Sequence, residues 1–176
     1  MNKEQEIKQM IRVNLAGEYG AIRIYQGQID AMKKLKQDPQ HIRELRHMCA
    51  QEEKHLEFFQ KELVERGVRP TVLHPLWHVF GYALGYITAR MGRESAMACT
   101  VAVEEVIDAH YCEQLSAINK DKEAELHKAI ELFREEELEH RDLALENNAQ
   151  EAPLYHVLYH SIQAASKAAI WLSKRL

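Results

Sequence analysis

The sequence predicts an all-α fold: a four-helix bundle made of two repeated helix hairpins, with two shorter apolar or amphipathic helices added. Three observations carry this prediction. Helix breakers are scarce, seven glycines and four prolines in 176 residues, while Glu, Lys, Leu, Ala and Gln abound. Apolar residues recur at alternating steps of three and four, the spacing of a helix face turned to a bundle core. One arrangement also occurs twice, a lone glutamate followed by Glu-x-x-His: Glu18, Glu52 and His55, then Glu104, Glu137 and His140. The separations nearly agree, 34 residues from Glu18 to Glu52 and 33 from Glu104 to Glu137.

Breakers and caps set the elements in order. A first helix is expected from about Lys3 to Lys36, after which Asp38-Pro39 offers an N-cap and a first-turn proline to a second helix ending near Arg66-Gly67. Arg69-Pro70-Thr71 reads as a turn. A fairly apolar helix then runs from Pro75 to about Met91 and stops at Gly92. The third long helix spans roughly Arg93 to Asn119, Asp121 is placed to cap a fourth reaching about Asn148, and Pro153 opens a last helix to the C-terminus. This length suits one domain over residues 1–176, large enough to bury a core.

Composition excludes several classes. A net charge of −4 and a pI near 6.2, with bases interleaved among acids, speak against nucleic-acid binding. Three cysteines, Cys49, Cys99 and Cys112, lack C-x-x-C spacing, so neither a disulfide framework nor a thiolate metal site is indicated, and a reducing compartment is the natural setting. The opening MNKEQEIKQM has no apolar h-region and is too acidic for a transit peptide, which leads us to expect a cytoplasmic or already mature chain.

The repeated residues fall on the predicted core seams. The first helix reads Ile11, Leu15, Glu18, Ile22, Tyr25, Ile29, Met32; the second Leu45, Met48, Glu52, His55, Phe59; the fourth long helix Leu126, Ile130, Phe133, Glu137, His140, Ala144. The third long helix gives Met97, Val101, Glu104, Asp108, Tyr111, Leu115, Ile118. Ionised carboxylates in a dry core cost several kcal/mol each unless compensated, and four facing one another demand a cation. Two divalent ions balance Glu18, Glu52, Glu104 and Glu137, and a residue pair three apart on a helix can share one ion. A Glu-x-x-His also arises by chance in an acid-rich chain. Glu44 and His47 are such a case, on a stripe continuing through Gln51 and Lys54 that reads as a solvated face.

The halves align further. AGEYGAIRIYQGQ and AVEEVIDAHYCEQ share Ala, Glu, Tyr and Gln at equivalent positions, placing Tyr25 and Tyr111 each seven after a lone glutamate. For these tyrosines the favoured reading is a core ring with a hydrogen-bonded hydroxyl, ahead of a redox role. His110 and Asp108 are candidates to orient His55 or His140 from behind, with plain packing or exposure as the alternative. Oxygen and imidazole ligation favours iron over zinc, while spacing alone leaves manganese open. The pattern is common to ferritin-like oxidases, oxygenases, rubrerythrins and manganese catalases, so it points to fold and cofactor more firmly than to a reaction.

The segments RVNLAGEYGAIRIYQGQ, QEEKHLEFF, RPTVLHPLW, AMACTVAVEEVIDAHYCEQL and FREEELEHRDLAL are more specific. Through them, over essentially the whole chain, the sequence resembles the demethoxyubiquinone hydroxylases of ubiquinone biosynthesis. The resemblance implies that Glu18, Glu52, His55, Glu104, Glu137 and His140 are di-iron ligands, with Glu52 and Glu137 as bridges. It further implies a demethoxyubiquinone or quinol substrate with a polyprenyl tail, hydroxylated on its ring with O2 at a membrane surface. That surface is the cytoplasmic face of a bacterial inner membrane or the matrix face of the mitochondrial one. Other proteins of ubiquinone biosynthesis and further copies of the chain are conceivable partners. Family members often read Asp-His where this chain has Asn14-Leu15, which touches the surroundings of the site and not its ligands. A ferrous pair must be re-reduced at each turnover. No strand-linked G-x-G-x-x-G is present, so the electrons come from NADH acting directly, a separate reductase or the quinol.

Two segments suit lipid. PLWHVFGYALGYITA, between His74 and Arg90, lacks acids, lysine and arginine but is short for a span; with Trp77, Tyr82 and Tyr86 it fits an interfacial helix, and Gly81-x-x-x-Gly85 permits close helix contact. The last helix has no acids after Glu151 and ends with Lys167, Trp171, Lys174 and Arg175. Simple packing on the bundle is the plain alternative for both. Gly17 and Gly20 flank Glu18 in mid-helix, where tight packing is the favoured reading and a path to the metals the other. The competing functions are a soluble iron-storage or oxygen-scavenging bundle, and a quinone or lipid carrier keeping a vestigial site.

Overall fold

The computed structural model describes residues 2–176 and contains no strand among them. Six helices follow in order: α1 (Lys3–Lys34), α2 (Pro39–Glu65), α3 (His74–Met91), α4 (Arg93–Ala117), α5 (Ala124–Glu146) and α6 (Tyr155–Ser173). Local chemistry explains their ends. Asn2 and Gln5 form a capping box at the start of α1. Its end is closed by a left-handed Lys36, φ 53°, and a Gln37 N–H to Met32 carbonyl bond of 3.1 Å. The Asp38 side chain accepts from the Gln40 N–H at 2.8 Å, with Pro39 in the first turn of α2, as predicted.

Two boundaries differ from expectation. α4 stops at Ala117 and Ile118 turns extended; the Asn119 side chain then accepts from the N–H groups of Asp121 and Lys122, so Asn119 organises the turn, Asp121 caps nothing, and α5 begins only at Ala124. Pro153 does not open the last helix either. A short 3₁₀ turn at Ala149–Glu151 and a left-handed Leu154, φ 56°, reverse the chain before α6 begins.

α1, α2, α4 and α5 form the bundle. α1 packs chiefly on α3 and α2, and α4 on α5 and α6, so each added helix lies against the first helix of its own hairpin. The core is layered. One apolar cluster joins Ile22, Met32, Leu45, Met48, Met97 and Ala144; another joins Ile11, Leu15, Phe59, Tyr111, Ile130 and Phe133. Along every bundle helix, the repeated Glu and His residues fall between the two clusters. They form one polar layer across the bundle.

α1 and α3 approach each other backbone to backbone. A Cβ on Gly85 would run into the Ile24 carbonyl, one on Gly81 into that of Gly20, and one on Gly27 into that of Tyr82. Gly81-x-x-x-Gly85 thus does what its spacing suggested. Gly17 and Gly20 do not. A Cβ on Gly20 meets nothing within 4 Å, and one on Gly17 meets only Ile107 Cδ1 at 3.8 Å, so tight packing does not account for them. Alanine at an open helical glycine gains about 1 kcal/mol. Overpacking costs about 1–3 kcal/mol. Gly20→Ala is therefore expected to raise the urea midpoint and Gly85→Ala to lower it, despite the same gain in helix propensity. Equal midpoints would contradict the close approach.

Candidate metal centre

The polar layer gathers all six repeated residues. Each is at most 3% exposed: Glu18 on α1, Glu52 and His55 on α2, Glu104 on α4, Glu137 and His140 on α5. They fall into two groups, Glu18, Glu52, His55 and Glu137, and Glu52, Glu104, Glu137 and His140, each offering one ligand atom per residue with all such atoms within 4.8 Å of one another. Glu52 and Glu137 belong to both groups. Glu44 and His47 stay outside them, with His47 exposed on the outer face of α2.

Both imidazoles turn Nδ1 inward. His55 Nδ1 lies 3.3 Å from Glu137 and 3.4 Å from Glu18, while His140 Nδ1 lies 3.2 Å from both Glu52 and Glu137. Several of these buried atoms have no hydrogen-bond partner, namely both carboxylate oxygens of Glu52, Oε2 of Glu104 and Nδ1 of His55. An unsatisfied buried polar atom costs about 1–3 kcal/mol, more for a charged one, and convergent lone pairs of this kind fit divalent cations. The donors are carboxylate oxygen and imidazole nitrogen, with no thiolate. Iron and manganese suit such a set.

Left to themselves, the six groups can balance charge only by holding protons. Burial pushes Glu18 and Glu104 well above the ordinary carboxylate range, the charges of Glu52 and Glu137 adding to it. Burial also disfavours the charged form of His140, but the Glu137 and Glu52 carboxylates beside it outweigh this and raise the pKa to about 11. At Glu52, burial is likewise overcome by the His140 and His55 imidazoles beside it, leaving that carboxylate well below its usual range. A metal ion and these protons compete for the same atoms.

The tyrosines hold the lone glutamates, and they do so across the repeat. Tyr25 of α1 donates to Glu104 of α4 at 2.8 Å, and Tyr111 of α4 donates to Glu18 of α1. Burial and the nearby carboxylates push both phenols well up, which keeps them donors. The expectation of hydrogen-bonded core rings agrees with this.

His110 and Asp108 do not stand behind His55 or His140. Asp108 faces Arg134 at 2.6 Å, and His110 belongs to a separate cluster in which Asn14 and Gln114 exchange amide bonds of 2.9 and 2.6 Å and Gln114 meets His110 at 2.8 Å. Burial and the charge of Lys174 lower the His110 pKa to about 4, so it is neutral there. Asn14, the departure in the first helix, is thus an α1–α4 tie. The residues behind the histidines are Glu136, whose carboxylate lies 2.5 Å from His55 Nε2, and Gln51, whose Oε1 lies 3.1 Å from His140 Nε2. The sequence reading missed both, placing Gln51 on the solvated face although it is only 8% exposed. A signal was available: each directly precedes the glutamate of a Glu-x-x-His.

Beside this layer, between α1, α3, α4 and α6, lies an apolar cavity of about 270 Å³. Gly17 and Gly20, on either side of Glu18, form part of its wall, opposite Trp77 and Phe80 of α3 and Ile170 of α6. Phe80 is 61% exposed, so the cavity reaches the surface there. The missing side chains of the two glycines are what leave it open.

Residues 5–173 match the family model described as ubiquinone biosynthesis protein COQ7. The chain belongs to that family. It is 49% identical over 170 residues to the 3-demethoxyubiquinol 3-hydroxylase of Rhodospirillum rubrum, covering 97% of this chain and 78% of that one. Identity is 47% over 173 residues to the human NADPH-dependent 3-demethoxyubiquinone 3-hydroxylase, mitochondrial, with the same coverages. With the Saccharomyces cerevisiae 5-demethoxyubiquinone hydroxylase, mitochondrial, it is 36% over 185 residues, again covering 97% and 78%.

Ligand binding stabilises a fold by about 2.7 kcal/mol at a hundred times the dissociation constant. For a chain of this size that raises the thermal midpoint by roughly 5–10 °C. Anaerobic ferrous ion is expected to produce this shift in the wild type and in Glu44→Ala and His47→Ala, and not in Glu52→Ala. A full shift in Glu52→Ala would remove the shared carboxylate from the centre.

Proposed function

We propose that this chain, as one domain over residues 1–176, is an oxygen-dependent hydroxylase acting on the ring of a polyprenylated demethoxyubiquinone or its quinol. The observation that carries the reading is the pairing of a buried Glu/His layer with an apolar, glycine-walled cavity alongside it. Two iron ions fit the six residues: Glu18, Glu52, His55 and Glu137 for one, Glu52, Glu104, Glu137 and His140 for the other. When bound, such a pair supplies electrons and open coordination positions for oxygen activation. The chain itself does the rest. Tyr25 and Tyr111 fix the Glu104 and Glu18 carboxylates, the inward Nδ1 atoms present lone pairs, and the apolar clusters above and below exclude water. The cavity wall admits a flat ring up to the helix turn that carries Glu18.

The reductant we infer is a reduced nicotinamide, in keeping with the NADPH dependence in the names of several relatives. No helix among the described residues is long and apolar enough to cross a membrane. A peripheral position supports the reading better, since α3 and α6, whose residues wall the cavity, leave Val79, Phe80, Ile87, Val157 and Trp171 more than half exposed. An iron-storage bundle has no use for such a cavity.

The deciding experiment expresses the chain in a strain that accumulates demethoxyubiquinone and follows the quinones by mass spectrometry. Wild type is expected to convert the precursor; Glu137→Ala and His140→Ala are expected to abolish conversion while helicity persists. Gly20→Leu enters open space, so it should keep fold and iron yet lower conversion, about 100-fold if the ring is displaced by an ångström. A wild-type chain that leaves the precursor untouched ends the hydroxylase reading.

A further inference from the structure

Behind the two histidines, three contacts form a continuous line. His140 Nε2 meets Gln51 Oε1 at 3.1 Å, Gln51 Nε2 meets Glu136 Oε1 at 3.2 Å, and Glu136 Oε2 meets His55 Nε2 at 2.5 Å. The donor inventory allows one consistent assignment. A carboxylate only accepts, so both His55 Nε2 and the Gln51 amide nitrogen must donate to Glu136. The Gln51 oxygen is then left facing His140, whose Nε2 must donate to it. Both imidazoles therefore keep a proton on Nε2, so that a cation displacing the inward proton meets an Nδ1 lone pair on each.

We infer that Glu136 is a positioning residue for both metal positions, holding His55 directly and His140 through Gln51, so that one carboxylate at the bundle surface sets the tautomer of both inward imidazoles. The inference rests on the two-metal reading of the centre. It also makes the two positions unequal. His55 has a carboxylate behind it, which raises imidazole basicity, whereas His140 has a neutral amide. The His55 position is the tighter one.

The repeat supplies an unusual test, because Gln51 and Glu136 stand at equivalent places in the two hairpins. Glu136→Gln replaces one acceptor oxygen with an NH2 group, so either His55 or Gln51 meets a donor. Gln51→Glu sets two carboxylates against each other. The double exchange Q51E/E136Q, however, rebuilds the line with reversed direction and the same net charge. His55 then donates to the amide oxygen introduced at position 136, and the amide nitrogen there donates to the carboxylate introduced at position 51. His140 donates to that same carboxylate.

Cobalt(II) titration of the metal-free chain, followed by its visible ligand-field bands and by NMR of the hyperfine-shifted imidazole N–H protons, reads each position separately. The wild type is expected to take up two ions in unequal steps. Each single exchange should weaken binding about 10–100-fold, the range for loss of such outer partners. The double exchange should recover most of that loss, with the tighter step moved to the His140 position. Far-UV circular dichroism identifies any variant that fails to fold, and the double exchange then serves as the folded comparison. A wild type that binds no cobalt overturns the metal reading and this inference with it. Two ions bound by the wild type, with unchanged affinities in E136Q or no recovery in the double exchange, overturn the inference alone.

Discussion

Four glutamates share the interior of one bundle, and their mutual repulsion is the constraint around which the rest of the molecule is organised. Unit charges about 4 Å apart repel by about 4 kcal/mol at an effective dielectric near 20. A native domain is stable by only about 5–15 kcal/mol in total. Two histidines and their protons relieve part of this, since His55 and His140 each lie within 3.6 Å of two or more of these carboxylates. Divalent cations would relieve it more fully and would also satisfy the oxygens of Glu52 and Glu104 that lack a hydrogen-bond partner. The apolar clusters on either side intensify the demand by keeping water out, and in the same way strengthen whatever cation the layer holds.

Reciprocity between the halves is the second organising feature. Tyr25 of the first hairpin holds Glu104 of the second, and Tyr111 returns the bond to Glu18. Gln51 stands behind His140, and Glu136 behind His55. Neither hairpin supplies a whole Glu/His group by itself, so the layer is assembled only when both are docked. The added helices follow the same plan, α3 against α1 and α6 against α4, which turns the duplicated hairpin into a duplicated three-helix unit and leaves the cavity between the two added helices.

Much of this was legible in the sequence because helical periodicity reports burial directly. All the seam residues read from the first, second and fourth long helices are buried, the candidate ligands included. The third long helix was harder. From Ser95 to Glu104 every residue of α4 is buried, because α3, α5 and α6 surround it, so periodicity there carries little information, and Asp108 was assigned to the core although it pairs with Arg134 at the edge. Gln51 and Glu136 were missed for a different reason. A residue next to Glu52 or Glu137 points about a quarter turn away, and only the packing of α2 beside α5 brings it behind the opposite histidine. The glycines beside Glu18 could be read as packing or as a passage; only the neighbouring helices decide, and Gly20 faces open space. Caps were least legible, since Asn119 and Leu154 act through turns that local composition does not distinguish.

The proposed two-metal centre is shared between the hairpins, and X-ray absorption at the iron edge of the iron-loaded chain examines that sharing most directly. The proposal predicts a light first shell of oxygen with about one imidazole nitrogen per iron, no sulfur, and an iron–iron vector near 3.5–4 Å, roughly the usual separation of two-metal sites. A spectrum with isolated iron, no metal–metal vector, or a sulfur shell would contradict it.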